Sequence, residues 1–196
     1  MSHTNTLYPV FMKMNRLKLL IVGAGEVGKE KLHFLLKSSP DAQITVVAPE
    51  IAPEILDLFR TTEYHINLIK APFDPAIVPQ YDLIIAATNI HSLNEAVYKA
   101  AKEHGKIINV ADTPELCDFY MGSIVTRGDL KVAISTNGKS PTFAKRFRQW
   151  LESNLPEETE ELLPNLKKIR DQLKTSFAEK VSYLNEVTKS LIEKES

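Results

Sequence analysis

The chain has 196 residues with 24 Lys plus Arg against 25 Asp plus Glu, a formal net charge of −1 that speaks against a basic nucleic-acid binder and against an acidic solvating tail. Hydrophobic residues make up 43% and charged residues 25%, enough for a folded core, and the one cysteine, Cys117, excludes an intrachain disulfide and a cysteine-rich structural zinc. No segment approaches the roughly 20 consecutive apolar residues of a membrane span, and Met1 to Phe11 lacks the pattern of a secretion signal, so a cytoplasmic chain with no membrane or nucleic-acid partner is expected.

The first 115 residues alternate strand-like and helix-like patterns. Leu17 to Val22 reads as a buried strand, and Gly25 to Lys37 follows with Val27, Leu32, Leu35 and Leu36 near one helical face. Ile44 to Val47 is a second strand and Pro53 to Arg60 a short helix whose proline stands where a missing N–H costs little. Ile66 to Ile69, Asp82 to Ala86 and Ile107 to Val110 are further strands; Ser92 to His104 is a helix, with Gly105 placed as its C-terminal cap. Such alternation implies right-handed crossovers and a parallel sheet covered on both faces.

The pattern then changes. Ser123 to Thr126 and Leu130 to Ser135 flank Arg127-Gly128-Asp129 and read as an antiparallel hairpin. Ser140 and Pro141 suit the start of a helix reaching about Leu155. Pro156 and the acidic stretch Glu157 to Glu161 mark a break. From Asn165 to Ile192, apolar residues at Leu166, Ile169, Leu173, Phe177, Leu184, Val187 and Leu191 form one helical stripe that needs cover. The expected fold class is a doubly wound, Rossmann-type α/β sheet (1–115), a small α+β hairpin-helix region (116–155) and a helical C-terminal tail (156–196).

Five constellations can carry chemistry. Gly23-Ala24-Gly25-Glu26-Val27-Gly28 is a GxGxxG that closes one strand and opens a helix, the context in which it binds a dinucleotide pyrophosphate; outside that context it is a tight turn. Glu50, after Pro49, lies 22 positions beyond Gly28, where a carboxylate takes a ribose hydroxyl and disfavours the 2′-phosphate of NADP; it could equally be a solvated cap of the next helix. Thr88 and Asn89 follow the fourth strand and line the ligand crevice of such a sheet; Asn89 or His91 could cap the next helix, and both roles can coexist. In Asn109-Val110-Ala111-Asp112-Thr113-Pro114, Asp112 sits beyond the fifth strand, where a carboxylate can serve as general base or cap the turn before Pro114.

The last constellation is Ser135-Thr136-Asn137-Gly138-Lys139-Ser140-Pro141, followed by Lys145, Arg146 and Arg148. Residues 121 to 150 hold six basic residues against one acid, suited to an anionic ligand or simply to a solvated helix face. The five histidines, His3, His33, His65, His91 and His104, are scattered, so no metal site is expected. Cys117 reads as a small buried or half-buried residue.

Together these stretches resemble the precorrin-2 dehydrogenase family, the N-terminal module of siroheme synthases. The match rests on YPVFM (Tyr8 to Met12), LIVGAGEVGKEKLHFLL (Leu20 to Leu36), TVVAPE (Thr45 to Glu50), PFDP (Pro72 to Pro75), IAAT (Ile85 to Thr88), NVADTPELCDF (Asn109 to Phe119) and AISTNGKSP (Ala133 to Pro141), and spans about residues 7 to 155. The later motifs are the specific ones, because other dinucleotide domains lack them.

The resemblance implies oxidation of precorrin-2, a polycarboxylate tetrapyrrole, to sirohydrochlorin with NAD as hydride acceptor. It implies a homodimer. It matches Asp112 to the family's essential aspartate, and Glu26, Val27, Pro49 and Glu50 to positions near the bound NAD; the glycine turn and strand end read above add Gly23, Gly25, Gly28, Thr88 and Asn89 to the NAD side of the site. Asn109, Ser135, Thr136, Asn137, Gly138, Lys139, Ser140 and Arg146 fall on the substrate side. Some members also insert ferrous iron, which would be a substrate and not a bound cofactor. Thr136 stands where some relatives carry serine. Fused members add a methyltransferase domain, so methylation of uroporphyrinogen is not expected of these 196 residues. Two competing readings are a chelatase without dehydrogenase activity and an NAD-binding sensor without turnover.

Overall fold

Five largely aliphatic strands, two of five residues and three of four, form a parallel sheet, most of them apolar on both faces as a strand covered on both sides must be. The computed structural model describes residues 5–60 and 64–189; His3, Leu191 and Ile192 lie outside them. The strands are β1 (Lys18–Val22), β2 (Gln43–Val47), β3 (Ile66–Ile69), β4 (Leu83–Ala86) and β5 (Ile107–Val110), in the order β3-β2-β1-β4-β5. The helices between them are α1 (Glu26–Ser38), α2 (Pro53–Arg60) and α3 (His91–Glu103).

The two faces have separate cores. On one, Leu19, Ile21, Ile44 and Val46 pack with Leu32 and Leu36 of α1 and Ile55 of α2. On the other, Leu20, Val22, Ile84 and Ile108 pack with Val97, Ala100 and Ala101 of α3 and with Val78. This doubly wound architecture is the one the alternation of strands and helices implies. The chain reverses direction across the sheet between β1 and β4, which opens a crevice at the carboxyl ends of those strands.

Three short 3-10 turns, Met14–Arg16, Pro75–Gln80 and Pro114–Leu116, escape a reading based on hydrophobic period. Pro75 and Pro114 each open one, and Asp74 Oδ1 caps the former by accepting from Ala76 N at 2.9 Å.

The chain forms two compact units. Among the described residues, the first comprises those up to 121 with 137–139, and the second those from 122 to 136 and from 140 onward. The second unit contains the antiparallel hairpin β6 (Ser123–Arg127) and β7 (Leu130–Ile134), then α4 (Pro141–Asn154), α5 (Thr159–Gln172) and α6 (Phe177–Val187). Gly128 makes the hairpin turn at φ +51° and lies so close to Glu160 that a Cβ would come within 2.8 Å of its Cγ.

Two expectations for the tail are corrected. The acidic stretch does not interrupt the chain as far as Glu161. It supplies the first turn of α5, where Glu160 and Glu161 complement the positive end of the helix dipole. The stripe from Asn165 onward is not one helix. It divides at Leu173, and Ser176 restarts it through a reciprocal capping box with Glu179 that satisfies the first N–H groups of α6.

Leu32 is fully buried between α1 and the sheet. Leu32→Ala is expected to lower stability by about 2–5 kcal/mol, read as a reduced urea midpoint.

Candidate nucleotide and active site

The glycine turn is built by backbone contact. Gly23 has φ +106°, and a Cβ there would lie 2.5 Å from the carbonyl oxygen of Ala87, at the end of β4. A Cβ on Gly28 would lie 2.1 Å from the oxygen of Gly23, so α1 can start this close to β1 only without a side chain. Gly25 differs. Its Cβ would meet nothing within 4 Å, and it is the N-cap of α1, with no side chain to cover the first N–H groups. A backbone cradle open at Gly25, beside uncapped helix N–H donors, fits a pyrophosphate.

The neighbours of the cradle follow from strand ends. Ala52 N donates to Ala24 O at 3.1 Å, which draws the segment after β2, with exposed Pro49 and Glu50, against the turn. Thr88 packs beside Gly23, with its Cγ2 3.0 Å from where a Cβ on Gly23 would stand. Exposed Asn89 follows it. Exposed Glu26 pairs with Lys29, which also reaches Glu54 at 2.9 Å, and the hydrogen bonds that Lys29 Nζ donates to the Glu26 and Glu54 carboxylates hold its pKa above the usual value. Val27 is half-buried against the core.

Asn94 is a residue that sequence reasoning missed. It is 7% exposed in the first turn of α3, and its Oδ1 accepts from both Thr88 N (3.2 Å) and Thr88 Oγ1 (2.7 Å) while its Nδ2 donates to Thr88 O (3.0 Å). Thr88 is thereby fixed beside Gly23, and neither Asn89 nor His91 caps α3; Ile90 stands at that position. The only signal was a buried-type spacing for a polar residue.

Asp112 leaves the sheet at the same carboxyl edge. Ala111 N still donates to Ala86 O at 2.9 Å; Asp112, the next residue, is exposed and has φ +57°. A non-glycine residue in the left-handed region is uncommon and gathers at functional sites. Its side chain does not cap the turn before Pro114, where Thr113 stands at the cap. Asn109 is buried, and its amide is engaged with Phe119 O (2.9 Å) and Cys117 Sγ (3.3 Å). Burial raises the pKa of the Cys117 thiol.

The loop 135–140 divides between the units. Asn137, Gly138 and Lys139 belong to the first unit, with Asn137 at φ +54° and Gly138 at φ +73°. In the second, Thr136 Oγ1 accepts from Ser140 N at 3.2 Å and Ser140 Oγ caps α4 through Phe143 N at 3.1 Å. Ser135 and Arg146 are exposed. Among the described residues no three His, Cys, Asp or Glu side chains gather into a metal-ligand group, and no helix is long and apolar enough to cross a membrane.

Comparison with known proteins gives the geometry a context. Residues 10–123 match a family model described as putative NAD(P)-binding, and residues 127–154 match one described as sirohaem biosynthesis protein, central. The chain belongs to the putative NAD(P)-binding family, and a sirohaem-biosynthesis central region follows that match. It is 36% identical over 170 residues to siroheme synthase 1 of Aeromonas salmonicida, covering 87% of this chain and 36% of that one. To siroheme synthase of Methylococcus capsulatus it is 39% identical over 148 residues, covering 76% and 30%. The chain thus spans about a third of the length of these relatives. Among solved structures, SirC, precorrin-2 dehydrogenase, matches with a TM-score of 0.73 and 26% identity over 92% of this chain and 89% of that chain. The first unit is the NAD(P)-binding domain of this family.

The two glycines predict different losses. Gly25→Val should leave the melting temperature close to wild type and weaken NAD binding at least about tenfold by titration, a loss of roughly 1.4 kcal/mol. Gly28→Val should also lower the melting temperature, because its side chain collides with backbone.

Proposed function

We propose that the chain oxidises precorrin-2 to sirohydrochlorin with NAD in siroheme biosynthesis. The observation that carries this reading is Asp112, held at a left-handed φ of +57° on the sheet edge that also bears the glycine cradle. The likeness to SirC along nearly the whole of both chains supports it.

Gly23, Gly25 and Gly28, with the N–H groups of Glu26 and Val27, hold the pyrophosphate. Pro49 and Glu50 take the adenosine ribose, where the Glu50 carboxylate opposes a 2′-phosphate and favours NAD over NADP. Thr88 and Asn89 line the crevice towards the nicotinamide. Bound NAD supplies the hydride acceptor. Asp112 takes the proton, so that the substrate loses one hydrogen as hydride and one as proton across the new double bond. Holding donor and acceptor in contact supplies much of the rate. Asn137, Gly138 and Lys139 belong to the same unit as Asp112, and Lys139 orients a substrate carboxylate there. Insertion of ferrous iron into the product, with the ion as substrate, is a second activity within this reading.

The chain acts as a homodimer. Support comes from α4, whose Phe143, Phe147 and Trp150 are exposed yet stack on each other with centroids 6.0 and 5.8 Å apart, a ladder of large apolar surface that a subunit partner would cover.

Anaerobic spectroscopy of the purified protein with precorrin-2 is expected to show sirohydrochlorin and NADH appearing together only when NAD is present. Asp112→Ala should abolish that turnover while NAD affinity stays within about twofold, a difference below 0.5 kcal/mol; turnover at the wild-type rate would end the role given to Asp112. Trp150→Glu should shift the sedimentation coefficient from dimer to monomer.

A further inference from the structure

β5 is an edge strand of the parallel sheet, and its outer backbone groups need partners. They receive them from the chain that returns after Asp112. Asp118 N donates to Ile108 O at 2.8 Å, and Asp118 Oδ2 accepts from Ile108 N at 3.0 Å. One turn further along, Cys117 Sγ accepts from Val110 N and donates to Val110 O, both at 3.2 Å. Asn109 Nδ2 closes the set on Phe119 O at 2.9 Å. Lys102 Nζ, from α3, pairs with the other oxygen of Asp118. The backbone and carboxylate of Asp118 and the thiol of Cys117 thus stand in for a missing sixth strand at alternate residues, Ile108 and Val110, as a parallel ladder requires.

Between the two ends of this clasp lie residues 111–116. The 3-10 turn Pro114–Leu116, with Leu116 N on Thr113 O (3.0 Å) and Cys117 N on Pro114 O (3.1 Å), leaves little slack. A left-handed backbone is costly for a non-glycine residue such as Asp112, and such conformations persist only where the surroundings over-determine them. The clasp is the surrounding that does so here.

We infer that Asp118, with Cys117 and Asn109, forms a positioning clasp that closes the 111–116 loop on β5 and sets where the Asp112 carboxylate stands. Asp118 touches neither substrate nor cofactor. It acts through Asp112, and the inference therefore rests on the dehydrogenase reading.

The test compares Asp118→Ala, which removes the acceptor for Ile108 N and the partner of Lys102, with Asp118→Asn, which keeps an oxygen for Ile108 N. Cys117, the chain's one cysteine, reports clasp opening without any turnover, through its rate of alkylation by iodoacetamide. Asp118→Ala is expected to alkylate several-fold faster and to lose kcat by about 100-fold, the scale of a small misplacement of a catalytic group, with KM and Kd for NAD unchanged. Asp118→Asn should recover most of kcat and most of the protection of Cys117. Faster alkylation with wild-type kcat would overturn the inference, as would unaltered alkylation with wild-type kcat. Loss of NAD affinity and melting temperature in parallel with kcat, in both variants, would reduce Asp118 to a merely structural residue and overturn it too. Failure of the dehydrogenase reading has a different signature: wild-type protein without NADH formation, or Asp112→Ala with full turnover, whatever the Asp118 variants do.

Discussion

The approach of Gly28 to Gly23 is the contact on which the nucleotide unit depends. With hydrogen in place of Cβ at both positions, α1 starts within backbone contact of the turn that ends β1. That proximity aims the helix N-terminus at the crevice between β1 and β4. It also brings the end of β4 into contact, since Gly23 packs on the Ala87 carbonyl. Any side chain here would push the helix, the turn and β4 apart together. Gly25, by contrast, faces open space, so its lack of a side chain serves a ligand and not the fold.

The rest of the site is positioned by polar side chains that have been withdrawn from solvent to hold backbone. Asn94 spends its amide on Thr88, and Asn109 spends its own on Phe119 and Cys117. Leaving any one of these buried groups without a partner would cost about 1–3 kcal/mol. Each also removes freedom from a loop that otherwise has only a strand end to anchor it. Asp112 gains a defined place at the sheet edge from its neighbours and not from its own bonds. In the role proposed for it, Asp112 would thereby keep its own lone pairs for the proton it takes.

The second unit is organised on different terms. Few of its side chains are buried, Val125, Ile134 and Ala144 among them, while Phe143, Phe147, Trp150, Phe177 and Tyr183 stay exposed. A hairpin alone is marginal in water, and here α4 and α5 supply its cover, tied by Arg127 Nη2 donating to Glu152 O at 2.7 Å. The stacked rings on α4 lie outside that cover.

The order of strands and helices, and the presence of a glycine turn between the first of each, were legible in the sequence because both arise from short-range rules. Apolar runs of strand length, prolines at helix starts and glycines at helix ends act within a few residues. The bounds of α2, β3 and β5 follow from such signals alone. Asp112 could be singled out by its motif, but its backbone conformation could not. The acidic start of α5 and the capping box that divides α5 from α6 were visible residue by residue, yet their periodicity ran together as one stripe. What only the tertiary structure decided is which polar side chains serve backbone far away. Cys117 and Asp118 look like ordinary loop residues until β5 is seen to be the sheet's edge, for an unpaired strand edge exists only once the sheet has formed.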